Sequence, residues 1–115
     1  MIDYEKLEVY HLALQFVRET SKIRREVSKG NSDLIDQFKR ASSSILLNIA
    51  EGAGKFKKPD MQRFYGIARG SAMECGALID ILLVLELLKE PEHQRAKQSL
   101  TRIIAILSAL CRSTA

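Results

Sequence analysis

Apolar residues recur through most of the chain at alternating intervals of three and four positions, which is the spacing of one face of an α-helix. The first segment with this spacing is predicted to be a helix from about Asp3 to Ser28. Its core-facing seam is Val9, Ala13, Phe16, Thr20, Ile23 and Val27. The following Gly30-Asn31-Ser32 predicts a turn, with Ser32 as the expected N-cap of the next helix.

The second segment continues the same spacing, so it is predicted to form another helix. Its seam is Leu34, Phe38, Ala41, Ile45, Asn48 and Gly52. Gly52 and Gly54 are expected to end this helix, because glycine readily takes the left-handed conformation found at helix C-termini. Pro59 follows shortly afterwards and suits the first position of a third helix.

The third segment is the longest and predicts a helix from about Pro59 to Leu87. Its seam is Met61, Phe64, Ala68, Ser71, Cys75, Leu78, Leu82 and Leu85. Three glycines inside it, Gly66, Gly70 and Gly76, each cost about 1 kcal/mol relative to alanine. That cost predicts that a neighbouring backbone lies close to these glycines.

A fourth helix is predicted from Pro91 to Arg112, with a seam of Ala96, Leu100, Ile103, Leu107 and Leu110. No segment alternates in the manner of a strand, and the predicted turns are too short to separate domains. The expected fold is therefore all-α: an antiparallel up-down-up-down four-helix bundle that forms a single domain over residues 1–115.

The composition adds a modest positive charge and argues against several functional classes. The chain has 18 lysines and arginines against 14 aspartates and glutamates, so its formal charge is +4. This balance permits contact with nucleic acid without requiring it. No apolar run is long enough to span a membrane, and the charged N-terminal residues argue against a signal peptide. Cys75 and Cys111 lack metal-binding or redox spacing, so we expect reduced thiols and a cytoplasmic location.

The polar residues do not form a recognisable catalytic or metal site. His11 follows Glu8 and His93 follows Glu90 by three positions, but neither pair belongs to a core-facing seam, and a di-iron bundle needs its Glu-x-x-His motifs to face inward. Ser42, Ser43 and Ser44 have no neighbouring base. We therefore expect no enzymatic activity, no metal and no cofactor.

Antiparallel packing of the second and third helices would place the two members of each of two polar pairs at the same height along the bundle. Counting outward from the turn, Glu51 lies at the height of Arg63, and Arg40 at the height of Glu74. Asn48 occupies a position in the core-facing seam. One interpretation is a structural network of Arg40, Asn48, Glu51 and Glu74 that determines the register of the bundle. The other is a ligand or nucleic-acid site.

Positive charge is concentrated around the turn between these two helices. Lys55 to Glu74 contains five basic and two acidic residues, which gives +3 of the total +4. Lys57 and Lys58 precede a helix N-terminus, where positive charge is unfavourable, so a merely solvated turn explains them poorly. Phe56 could stack on a base there. The candidate nucleic-acid-binding residues are Lys55, Lys57, Lys58, Arg63 and Arg69.

Several apolar residues exceed what the seams of a bundle can bury. Excess apolar surface of this kind is typical of a subunit interface, so we expect a homo-oligomer. The candidate interface residues are Leu46 and Leu47 on the second helix and Ile81, Leu83 and Val84 on the third.

Three segments resemble a known family. They are YEKLEVYHLAL (Tyr4 to Leu14), RASSSILLNIAEGAGK (Arg40 to Lys55) and RFYGIARGSAMECGAL (Arg63 to Leu78). The family is that of the bacterial four-helix-bundle proteins encoded by intervening sequences in 23S ribosomal RNA genes. It is related to the accessory variability protein of diversity-generating retroelements, a basic bundle that forms a ring of five and associates with a reverse transcriptase and nucleic acid. This chain has Lys57-Lys58-Pro59 where family members usually place Ser or Thr.

The resemblance implies a non-enzymatic homo-oligomer, with a pentamer as the first expectation. It also implies association with RNA or DNA through the basic surface, and with a protein partner. No membrane association is expected, because no apolar run is long enough to span one. The alternative is a structural scaffold or protein-interaction module without a nucleic-acid role. The two differ in whether Lys55, Lys57, Lys58 and Arg69 converge on one surface of the assembled particle.

Overall fold

Four α-helices follow one another through short turns: α1 (Glu8–Glu26), α2 (Ser32–Ala53), α3 (Lys58–Val84) and α4 (Glu90–Ser113). A 3-10 turn, Asp3–Lys6, precedes them. The structure is a computed structural model that describes residues 1–27 and 30–115, and no strand occurs within these ranges. The prediction of an all-α four-helix fold is confirmed.

The helices form an elongated bundle of 44 × 22 × 20 Å. Each helix packs against its neighbours in the chain, and α1 also packs against α4, whereas among the described residues no Cα atoms of the diagonal pairs come within 8 Å of each other. The α2–α3 contacts run in opposite directions along the two helices, because Ser44 contacts Ser71 and Gly52 contacts Tyr65. The α3–α4 contacts also run in opposite directions, because Gln62 contacts Cys111 and Asp80 contacts His93. The arrangement is therefore the expected antiparallel circuit.

The core faces predicted for α1 and α4 are confirmed. Thr20, the polar member of the α1 seam, is buried with its hydroxyl donating to the carbonyl of Val17 at 2.9 Å. This hydrogen bond removes most of the cost of burying the hydroxyl. Buried residues on these two helices are Val9, Ala13, Phe16, Thr20, Ile23, Ala96, Leu100, Ile103 and Leu107.

The core faces predicted for α2 and α3 are partly wrong by one position. On α2, Ile49 is fully buried, whereas Asn48 is only half-buried. On α3, Tyr65 is buried where Phe64 was expected, and Leu85 is exposed. Adjacent residues lie about 100° apart around a helix, so an apolar pattern that allows either neighbour does not determine the rotation of the helix.

The first helix is shorter at its N-terminus than predicted. Leu7 is extended and separates the 3-10 turn from α1, and the side chain of Glu5 accepts a hydrogen bond from the backbone of Ile2 within that separate turn. The predicted end of the helix, at Ser28, lies outside the described residues. Asn31, rather than Ser32, is the N-cap residue of α2.

The third helix ends at Val84, three residues earlier than predicted. Glu86 has a φ of 60°, and the backbone N–H of Leu87 donates to the carbonyl of Leu82 at 2.9 Å. This bond and the left-handed residue before it form the usual C-terminal motif of a helix. Glu86 occupies the position that most often holds glycine, which is why the sequence did not indicate the end.

Of the two glycines predicted to end α2, Gly54 does so as the C-cap residue, but without the left-handed conformation that was expected, and Gly52 has another role. Gly54 has a φ of −85°, and Gly52 is buried within α2, where a Cβ would lie 2.7 Å from the Tyr65 ring. Gly52 therefore permits close packing of an aromatic ring rather than ending the helix. Gly66 and Gly70 have no atom of another segment within 4 Å of a built Cβ. The predicted close backbone neighbour is absent from the described residues of the chain.

Candidate nucleic-acid interface

The turn between α2 and α3 carries most of the candidate nucleic-acid-binding residues. It comprises residues 54–57, and Lys57 is the extended N-cap residue of α3, which has no side-chain cap. Lys57 and Lys58 are exposed, and neither side chain has a hydrogen bond or ion pair with any residue that the structure describes. Both ammonium groups are therefore free to bind an anion. We call Lys55, Phe56, Lys57 and Lys58 the basic turn.

Phe64 brings Lys55 of the basic turn together with one further cation, Arg63. The Lys55 ammonium lies 5.0 Å from the centroid of the Phe64 ring, and the Arg63 guanidinium lies 4.7 Å from it. These are cation–π distances. Lys55 also lies 3.5 Å from the Glu51 carboxylate, so its charge is partly neutralised. The predicted pair between Glu51 and Arg63 is wrong, because Glu51 pairs instead with Lys55, four residues later in the turn that follows α2.

Arg69 lies apart from the other candidate residues. It is eleven positions beyond Lys58 on α3, about 16 Å along the helix axis. Its Nε donates to the Ser108 hydroxyl on α4 at 2.7 Å, and it lines a shallow groove with Arg112. The structure therefore groups Lys55, Lys57, Lys58 and Arg63 at one end of the bundle and leaves Arg69 on its side.

The predicted buried pair of Arg40 and Glu74 is also wrong. Both residues are exposed, and within the described residues neither forms an ion pair. Arg40 instead lines a shallow depression on the outer surface of α2 with Leu47 and Asn48. The predicted heights were close, since Ser44 does lie level with Ser71. The two charged side chains simply point away from the contact between the helices.

Asn48 joins a smaller polar network than the one predicted. Its amide donates to the carbonyl of Ser44 at 2.8 Å and to the Ser44 hydroxyl at 3.0 Å. The Ser44 hydroxyl lies 2.7 Å from the Ser71 hydroxyl across the α2–α3 contact. This half-buried chain of hydrogen bonds connects the two helices at one height. Sequence reasoning identified Asn48 but missed both serines, because serine in a helix is usually a small packing residue.

The candidate interface residues differ in how accessible they are. Leu47 is 61% exposed and Val84 is 79% exposed, while Leu46 packs against the core of its own chain and Leu83 is half-buried. Leu46 is therefore a poor interface residue. The face of α3 opposite the core presents Ile67, Gly70, Met73, Ala77, Ile81 and Val84, all of which are exposed. We call this row the outer stripe.

Comparison with known proteins decides the family. The sequence matches the 23S rRNA-intervening sequence proteins over residues 5–109. The chain belongs to this family. Its fold is also similar to the crystal structure of a protein of unknown function from the S23 ribosomal protein family of Bacteroides thetaiotaomicron VPI-5482. That match has a TM-score of 0.84 at 19% identity and covers 90% of this chain and 95% of the other. No curated protein matches the sequence.

The cysteines of this 23S rRNA-intervening sequence protein are both free, and Cys75 is buried in the core. Burial, with a smaller effect from the charge of Glu74, raises the pKa of the Cys75 thiol to about 12. The thiol is therefore protonated at neutral pH and a poor nucleophile. Among the described residues, no group of three His, Cys, Asp or Glu side chains is arranged to hold a metal. None of the helices described is sufficiently long and apolar to cross a membrane.

An ion cluster between α3 and α4 was missed in the sequence. Oδ1 of Asp80 accepts hydrogen bonds from Nε2 of His93 and from Nζ of Lys97, each at 2.9 Å. The hydrogen bond from His93 has the largest effect on the pKa of the Asp80 carboxyl, and the bond from Lys97 has the next largest. Both bonds lower this pKa. The only sequence signal was the spacing of four between His93 and Lys97, which places them on one face of α4.

We expect Asp80→Asn to lower the stability of the bundle at neutral pH by at most about 1 kcal/mol, because the cluster is largely exposed. Because the pKa of the Asp80 carboxyl is lowered in the folded state, the ionised carboxylate stabilises the fold at pH values above the unfolded-state pKa of about 3.9. This stabilisation is lost as the pH falls through the folded-state pKa of the Asp80 carboxyl. Urea unfolding from about pH 7 to pH 3 should therefore show the difference from wild type shrinking below about pH 4.

Asp36→Asn is the control for this experiment. Asp36 is an exposed carboxylate on α2 with no ion pair among the described residues. A difference between wild type and Asp80→Asn that stays constant over the whole pH range would contradict the assigned role of the cluster.

Proposed function

We propose that this protein is a non-enzymatic, self-assembling bundle that contacts RNA or DNA through the basic turn and Arg63. The observation that carries the proposal is the exposure of Lys57 and Lys58 without a partner among the described residues. They begin a helix, where positive charge opposes the helix dipole. A cost to stability that brings no intramolecular contact is reasonable where the charges bind an external anion. The family name, which refers to 23S rRNA, supports an RNA-related role.

The expected contacts are to phosphates rather than to bases. The free groups at the basic turn are lysine ammonium groups, which bind phosphates as point charges and carry little sequence information. Arg63 already lies against Phe64, so Lys57 and Lys58 are the stronger candidates for phosphate contact. Affinity should therefore depend strongly on salt and weakly on sequence.

Self-assembly would multiply these contacts. Each copy would add another basic turn, and contacts made after the first would form at high effective concentration. The resemblance to the accessory variability protein of diversity-generating retroelements supports a closed ring, and a pentamer is the first assembly to test. The exposed apolar side chains of the outer stripe and of Leu47 are the surface that we propose for this contact. Arg69 would join the binding surface only in the assembled particle.

The test is fluorescence anisotropy with labelled RNA and DNA at low and moderate salt. The triple variant Lys55→Glu/Lys57→Glu/Lys58→Glu should bind much more weakly than wild type. The slope of log affinity against log salt should fall by about 1 for each phosphate interaction that the variant removes. Binding should remain similar for unrelated sequences of the same length.

The matched control is Arg18→Glu/Lys22→Glu/Arg25→Glu, which makes the same change in net charge on exposed residues of α1. We expect it to reduce affinity only modestly through the long-range field. Wild type that binds neither polymer at low salt would contradict the proposal. So would equal weakening of binding in the two triple variants, because the basic turn would then be no more than part of a general positive charge.

A structural scaffold is the second candidate function, and the outer stripe favours it. Met73 is 46% exposed and Ile67 is 43% exposed on a helix that is already packed on its other side. The exposed Glu74 interrupts this face, but exposed apolar side chains grouped on one side of a helix are typical of a protein-interaction surface. A protein that assembles through this stripe but binds no nucleic acid in the anisotropy experiment would be assigned to this second class.

A further inference from the structure

Phe56 is the most exposed large apolar side chain of the described residues, and its ring is completely open to solvent. It makes no ring contact with another residue of the described chain. Phe64, the other phenylalanine at this end, is half-buried and lies beneath Lys55 and Arg63. The bundle therefore covers one phenylalanine with its cations and leaves the other bare.

The charge around Phe56 restricts what could cover it. Lys55 precedes it, Lys57 and Lys58 follow it, and the latter two have no partner among the described residues. A ligand that suits this setting must be anionic and must also present a flat apolar face. Unpaired nucleotides have both features, since each carries a phosphate and a base that is free to stack. In a duplex the faces of the bases are already stacked on one another, so an aromatic ring cannot reach them without unstacking.

We propose that Phe56 is a stacking platform for an unpaired base, so that the basic turn selects single-stranded over double-stranded nucleic acid. Lys57 and Lys58 contact the phosphates on either side of the stacked base. This inference rests on the proposed nucleic-acid function and adds the class of nucleic acid to it. Base stacking on an aromatic residue tolerates any sequence, which agrees with phosphate contacts that read none.

A second copy of this chain is the competing occupant of the Phe56 ring. Symmetric contact of two basic turns would bring three lysines of each copy together, and like charges in close contact are strongly unfavourable. Contact between copies through the outer stripe would not bring these lysines together. Charge complementarity therefore favours the single strand.

The chain contains no tryptophan, which allows a direct test. Phe56→Trp introduces a single tryptophan whose fluorescence reports only on this position. Titration with a uridine oligonucleotide of about 20 nucleotides, longer than most single-strand sites, should quench it as the indole stacks on a base. A blunt-ended duplex of two annealed strands, with the same total number of phosphates and no unpaired nucleotides, should quench it far less.

The second arm measures the affinity of unlabelled Phe56 variants by anisotropy with the same two probes. Phe56→Ala should weaken single-strand binding by roughly 5- to 150-fold, as expected when one stacking interaction is removed, and should leave duplex binding unchanged. Phe56→Tyr should bind like wild type, because it retains the aromatic face. Because the side chain is exposed, both variants should have the thermal stability of wild type.

The possible failures are distinguishable. Equal affinity for the two probes, or no effect of Phe56→Ala on wild-type binding, overturns the stacking role and leaves the basic turn as a phosphate site. Absence of binding to both probes overturns the proposed function as well. Tryptophan emission that shifts to shorter wavelength with rising protein concentration, without nucleic acid, assigns the ring to contact between copies and overturns the inference.

Discussion

Ile81→Asp is expected to dissociate the assembled protein into folded monomers, whereas Leu14→Asp is expected to leave the assembly intact. Ile81 lies on the outer stripe of α3 and is 43% exposed, and Leu14 lies on α1 and is 44% exposed. The two variants make the same chemical change at the same exposure. Only the first should bury a carboxylate against another copy, which costs several kcal/mol when the charge has no partner. In a closed assembly this cost recurs at every interface.

The measurement is light scattering after size-exclusion chromatography at micromolar concentration, together with the helical signal in circular dichroism. Leu47→Asp is a second dissociating variant, on α2. Leu46 is unsuitable for the same test, because it packs against the core of its own chain and a charge there would unfold the monomer. Wild type that is a stable monomer at micromolar concentration would refute self-assembly. If Leu14→Asp also dissociates the protein, the outer stripe has no specific role in self-assembly.

Gly52→Ala is expected to destabilise the bundle by about 1–3 kcal/mol, even though alanine is the better helix former. A Cβ at this position would lie 2.7 and 2.8 Å from two ring atoms of Tyr65. The Tyr65 ring is itself buried, so it cannot move aside without disturbing the core. The overlap should outweigh the gain in helix propensity. Urea unfolding of the two proteins measures the difference.

Gly76→Ala is the matched control, since it also lies inside a helix and its new Cβ would be 3.9 Å from the nearest Leu100 atom. That is an ordinary van der Waals distance, so this variant should be more stable than wild type by about 0.5–1 kcal/mol. A double-mutant cycle adds Tyr65→Ala, in whose background Gly52→Ala should cost much less. Equal cost of Gly52→Ala in both backgrounds would show that the ring contact is not the cause.

The proposed nucleic-acid surface and the outer stripe both include residues of α3. This explains why α3 has the weakest separation of apolar and polar faces among the four helices. One side of it contributes Tyr65 and Ala72 to the core, and the opposite side presents the outer stripe. A helix that is apolar on two sides gives an ambiguous pattern. The seam predicted for it included the buried Ala68, Cys75, Leu78 and Leu82, but it also assigned to the core Phe64, which supports Lys55 and Arg63 at the surface.

The polar residues illustrate a second limit of the sequence. Counting from the turn placed Arg40 level with Glu74, and that height was correct to within about one turn, because an antiparallel pair joined by a short turn has little freedom to slide. Their direction was wrong, since it depends on how far each helix is rotated about its axis. Among the described residues, one hydrogen bond joins α2 to α3, and it is between the hydroxyls of Ser44 and Ser71.

The intervals of three and four along the chain determined the number of helices, their order and the core faces of α1 and α4. These features follow from local periodicity and from short turns, which make neighbours in sequence neighbours in space. Only the tertiary structure decided the rotations of α2 and α3, the contact of Tyr65 with Gly52, and the exposure of Phe56 beside a covered Phe64. Each of these depends on contacts between helices, which the spacing of residues along one helix does not contain.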